Sequence, residues 1–230
     1  MDGLKLGLDL CDGYTQLSCW GREENWTLPT AVCRQKDGGW LIGETAYATA
    51  LAGEGSVTDK LIRLVLQDGS DTIYGVKYRA VDLLKCFLEQ VFSLPLEEGK
   101  TVDGSMVKEL VITVPKMKAR LMDGLMYCAD QLKIPRSHVH VISHTEAFMY
   151  FVLSQTRDVW SNHVGLFDLS EKCLCYYEMK VQKNMGQVTA VAEREKLEEG
   201  FALDILSAPQ GVKLADKILC SCGERLLEKK

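Results

Sequence analysis

The sequence predicts an α/β protein built as two lobes, and three observations carry that expectation. Apolar runs of strand type alternate with helix-period stripes along most of the chain. Between Val107 and Ser154 the order strand, helix, strand, helix marks a crossover unit with parallel strands. The opening Lys5-Leu6-Gly7-Leu8-Asp9-Leu10 is echoed by Val164-Gly165-Leu166-Phe167-Asp168-Leu169-Ser170. In both copies an apolar run delivers one aspartate at its carboxyl end and then breaks into small or polar residues, which is how a sheet presents a carboxylate to a cleft. The first lobe is expected over 1–160, with a small inserted region at about 39–104, and the beginning of the second over 161–230.

Taken in order, residues 5–11, 15–20 and 27–34 read as a three-strand meander, broken at Asp12-Gly13 and at Gly21-Arg22-Glu23-Glu24. Gly38-Gly39 opens a turn, and a short helix starts at Ile42. The stretch from Leu51 to Lys77 carries four glycines and no clear period. From Tyr78 to Phe92 the residues Val81, Leu84, Leu88 and Val91, with Phe87 and Phe92, form an apolar stripe at helical spacing, as expected of a helix covering a sheet. A polar connection from Leu94 to Gly104 leads to a buried strand at Val107–Val114 closed by Pro115. A helix from Lys118 to about Leu132, a strand at Val139–Ile142 and a helix from Thr145 to Ser154 follow. The second lobe is expected to place strands at 164–169, 173–181 and 188–195, then a helix at 212–227.

Composition narrows the partners. Lys and Arg total 27 against 32 Asp and Glu, a net charge of −5, so no global basic field is present for nucleic acid or an anionic membrane. No uninterrupted apolar run approaches the roughly 20 residues of a membrane span. With no charged leader before the first strand, the chain is expected in the cytoplasm. Nine cysteines, an odd number scattered through strand and helix patterns, are expected as reduced thiols. Cys173 with Cys175 and Cys220 with Cys222 are spaced Cys-x-Cys rather than the Cys-x-x-Cys of zinc ribbons. His138 and His140 are expected at a solvated or edge position on their strand.

These parts, in this order, resemble the superfamily that joins actin, sugar kinases and the seventy-kilodalton heat-shock chaperones. Gly7-Leu8-Asp9-Leu10 looks like its first phosphate motif and Phe167-Asp168-Leu169 like its second. Val107 to Pro115, ending Thr-Val-Pro, is similar to a chaperone strand, and Ala129 to Ile134 with Val139 to Ala147 resemble the helix and connecting segment after it. The resemblance implies two ribonuclease-H-like lobes of actin-like ATPase type, the second incomplete here, closing over ATP and magnesium. It also implies site residues: Asp9 and Asp168 for magnesium through water; Asp9, Cys11, Asp12, Gly13, Thr15, Asp168, Ser170 and Lys172 for nucleotide; and His144 where the family has its water-positioning residue. The adenine segment of relatives would follow Lys230, so the natural chain is expected to continue past it.

The departures bear on function. Phosphate loops are rich in small residues because backbone amides must come close to the oxygens. Here the first loop is Cys11-Asp12-Gly13-Tyr14-Thr15, with an added carboxylate, and the second is Ser170-Glu171-Lys172-Cys173, where Glu171 would repel a polyphosphate and Lys172 partly compensate. Two classes are therefore expected: an interaction scaffold with weak or no nucleotide binding, favoured by these departures, or an ATP- and magnesium-dependent ATPase or assembly switch. Either would work with a protein partner or by self-association.

Overall fold

The computed structural model describes residues 3–155 and, beyond them, the strands Val164–Ser170, Cys173–Asn184, Gln187–Glu199 and Lys217–Cys220. The chain is a mixed α/β protein that divides into two compact units, Met1–Ser143 and His144–Lys230. The sequence reading sets its lobe boundary at 160 and so keeps the helix after Ser143 with the first lobe.

In the first unit, β1 (Leu4–Leu10), β2 (Tyr14–Cys19) and β3 (Asn25–Pro29) form the expected meander. Period-two patterning explains it: Leu6, Leu8, Leu10, Thr15, Leu17 and Cys19 are buried while Lys5, Asp9, Gln16 and Ser18 face outward. The predicted third strand at 27–34 is corrected. It breaks at Thr30, and its second half becomes β4 (Ala31–Gln35), which leaves the meander for a separate sheet. Pro29 has no N–H to extend a ladder, so the chain turns there.

That separate sheet has the order β5-β4-β6, with β5 (Trp40–Ile42), α1 (Gly43–Leu51) and β6 (Gly55–Asp59) following one another. The stretch without clear period resolves into β6, α2 (Leu61–Leu66), β7 (Ser70–Ile73) and β8 (Val76–Arg79). Tyr74 and Gly75, at φ 50 and 79, close the β7–β8 hairpin as both central residues of a type I′ turn require. Then come α3 (Ala80–Ser93), β9 (Val107–Val114), α4 (Ala119–Gln131) and β10 (Val139–Ser143).

The principal sheet runs β10-β9-β1-β2-β3, with β1, β9 and β10 parallel. Its core face (Leu8, Leu17, Leu110, Ile112) packs with Leu84, Phe87 and Leu88 of α3, Leu121 and Leu125 of α4, and Leu61 and Val65 of α2. Each such side chain contributes roughly 1.5–3 kcal/mol by leaving water. Helix α4 ends in a Schellman turn: Lys133 N–H donates to Asp130 O and Ile134 N–H to Ala129 O, with Lys133 left-handed at φ 58.

In the second unit α5 (His144–Ser154) precedes β11 (Val164–Ser170), β12 (Cys173–Asn184), β13 (Gln187–Glu199) and β14 (Lys217–Cys220). The helix predicted over 212–227 is corrected where it is described, since Lys217–Cys220 is a strand parallel to β11. Its short apolar run satisfies either period, and pairing with the open side of β11 decides. The rest of that span lies outside the described residues. The order β13-β12-β11-β14 repeats β3-β2-β1-β9 strand for strand, with the first two junctions antiparallel and the third parallel in both.

Candidate functional site

Asp9 lies on the outward face of β1, opposite Gln16 of β2 on one side and Thr113 of β9 on the other. The register brings the Thr113 hydroxyl to the carboxylate, donating to Oδ1 at 2.8 Å, and Cys11 Sγ lies 4.0 Å from the same oxygen. A strand neighbour so distant in sequence is invisible until β1 and β9 pair; its only trace was the Thr-Val-Pro ending of the strand.

Beyond Leu10 the chain turns tightly, with Cys11 N–H donating to Tyr14 O at 3.3 Å. Thr30 clasps this turn from beneath: its N–H donates to Gly13 O at 2.9 Å and its hydroxyl to Cys11 O at 2.7 Å. The Thr15 and Thr30 hydroxyls are 2.7 Å apart, both essentially fully buried. A threonine has one hydroxyl proton, and that of Thr30 goes to Cys11 O, so Thr15 donates to Thr30. Thr15, expected at the nucleotide, is thus part of a buried brace under the loop, and Thr30 was not singled out by the sequence.

Asp12 reaches sideways to α2. Its Oδ1 accepts the Arg63 backbone N–H at 3.0 Å and its Oδ2 lies 3.6 Å from Arg63 Nε, with 21% of the side chain exposed. The loop thus carries an anion already matched to an internal cation, and the carbonyls of Cys11 and Gly13 are engaged by Thr30. That set of groups does not fit a polyphosphate, which needs donors and positive charge rather than a carboxylate.

The remaining candidates are carried by later elements of the chain. Asp168 lies on β11 opposite Cys175, and Ser170 opposite Cys173, so only Glu171 and Lys172 separate the paired positions of that hairpin. Glu171 and Lys172 lie outside the described residues. His144 is the first residue of α5, directly after Ser143, whose register partner is Val114. His140 is exposed on β10, an edge strand, and His138 Nδ1 lies 3.0 Å from Val107 O. Among the described residues, Cys11, Cys19, Cys33, Cys86 and Cys128 form no disulfide. Burial pushes the Cys128 thiol up to about 12 and raises that of Cys86 as well, which keeps both protonated and poor nucleophiles.

Around the core edge a second constellation is structural. The Arg79 guanidinium forks onto Asp82 with two 2.8 Å bonds and lies over the Tyr127 ring, whose hydroxyl donates to Asp82 at 2.9 Å. Those contacts tie α3 to α4, and the bonds from Arg79 hold the Asp82 carboxyl below its ordinary range despite partial burial.

No curated protein matches the chain. A family model described as the C-terminal part of a family of unknown function, DUF5716, matches residues 13–230, from the loop glycine through both units. The chain belongs to this family.

Proposed function

We propose that this chain is a divergent two-lobed module of actin-like type that acts in the cytoplasm as a protein-interaction scaffold, with little or no nucleotide chemistry. Two features support the likeness. Both units carry the same strand order and senses, and each central strand, β1 and β11, holds one aspartate near its carboxyl end. The observation that carries the scaffold reading is Asp12, whose carboxylate occupies the first loop and is bound to Arg63. A loop that grips phosphate needs its amides turned to the ligand and no competing anion.

In this reading the partner is another protein or a second copy of the chain. Among the described residues no helix is long and apolar enough to cross a membrane.

The ATPase or assembly-switch reading has one observation in its favour, the exposed Asp9 carboxylate oriented by Thr113. There, Asp9 and Asp168 would hold hydrated magnesium, and the metal would offset phosphate charge. Titration calorimetry with magnesium and ATP separates the two. The scaffold gives no heat beyond dilution, whereas micromolar binding that vanishes in Asp9→Ala would establish the ATPase reading in its place.

A further inference from the structure

Helix α2 has little of its own to hold its first turn. It is six residues long, far below the roughly 12–15 that make a helix marginal by itself. Lys60, at its N-cap, makes no side-chain cap bond and sits left-handed at φ 53 and ψ 43, a conformation costing about 1–2 kcal/mol for a residue with a Cβ. The carboxyl end is secured locally, with Asp68 N–H donating to Val65 O and Gly69 N–H to Leu64 O. The amino end is secured from 51 residues away: the bond an N-cap side chain would make to the third helical N–H is made instead by Asp12 to Arg63. The Arg63 guanidinium adds an ion pair to the same carboxylate. Leu61, Ile62 and Val65 root the helix in the core, so the first turn, not the whole helix, depends on the loop.

We infer that Asp12 is a latch coupling the position of the Cys11–Gly13 loop to the first turn of α2, so that the two form one conformational switch. A partner or ligand that lifts the loop withdraws the carboxylate, Lys60 relaxes from its left-handed state, and the Lys60–Arg63 turn opens. By reciprocity, a partner that pulls that turn outward loosens the loop with equal free energy. The inference goes beyond the scaffold proposal and stands whether or not nucleotide binds.

Amide hydrogen exchange on the 230-residue chain tests it. Asp12→Ala is expected to speed exchange at Ile62, Arg63 and Leu64 by roughly fivefold or more, the effect of losing one cap, while amides of α4 keep their wild-type rates. Asp12→Asn, which keeps an oxygen acceptor, is expected to restore most of the protection. Adding Lys60→Gly to Asp12→Ala should recover part of it by relieving the left-handed strain. Unchanged exchange at Arg63 in Asp12→Ala overturns the latch. So does a loss spread equally over α2 and α4, or an Asn variant as damaged as the Ala variant.

Discussion

At the scale of single residues, the loop after β1 is determined by hydroxyls and a carboxylate whose partners lie far along the chain. Thr30 donates to Cys11 O and accepts from Thr15, so Thr30→Val, of similar shape, strands a buried carbonyl and a buried hydroxyl. A loss of about 1–3 kcal/mol is expected in chemical denaturation, with Thr30→Ser close to wild type; a Val variant as stable as the parent would remove the brace from the account. Lys133 gives the opposite sign. Because it occupies the left-handed position of the α4 Schellman turn, Lys133→Gly should stabilise the protein by up to about 1 kcal/mol, seen as a higher denaturation midpoint. Asp9 was legible in the sequence as a carboxylate ending an apolar run. Its partner Thr113 was not, nor was Arg63 as the partner of Asp12, because those pairs are 104 and 51 residues apart and only the fold brings them together.

At the scale of elements, close approach and ion pairing decide which helices stay docked. Gly104 leads into β9 where its Cα passes the end of α4; a Cβ there would collide with the backbone of Leu132 and Lys133. Backbone cannot yield as a flexible side chain does, so Gly104→Ala should cost about 1–3 kcal/mol in thermal or denaturant melts. The Arg79–Asp82–Tyr127 tie makes a pH prediction. The Asp82 pKa is lowered in the fold from its ordinary 3.8, so its contribution is complete above that value and is lost as pH falls through the lower native value. Asp82→Asn is therefore expected to show a shallower decline of stability below about pH 4 than the parent; an equally steep decline would assign the acid sensitivity to other groups. Helix α3 was legible because fourteen residues show the period well. The pieces of Leu51–Lys77 are four to six residues long, too short for a period to emerge, and Lys217–Cys220 is a strand through its pairing with β11 rather than its own pattern.

At the scale of the whole molecule, the repeat of strand order is the strongest regularity: β3-β2-β1-β9 and β13-β12-β11-β14 share every sense. Sequence shows only its faint imprint, the two Asp-bearing runs, because hydrophobic alternation can be met by many residues while topology is set by which strands pair. What separates scaffold from nucleotide switch is chemically local and rests on where the Asp12 carboxylate goes. The most direct measurement is a crystal structure of the 230-residue chain grown with magnesium and a non-hydrolysable ATP analogue. The scaffold reading expects Asp12 still bonded to Arg63 N–H and no triphosphate on the Cys11–Gly13 turn. A triphosphate lying across that turn, with Asp12 swung away and a magnesium ion near Asp9, would contradict it.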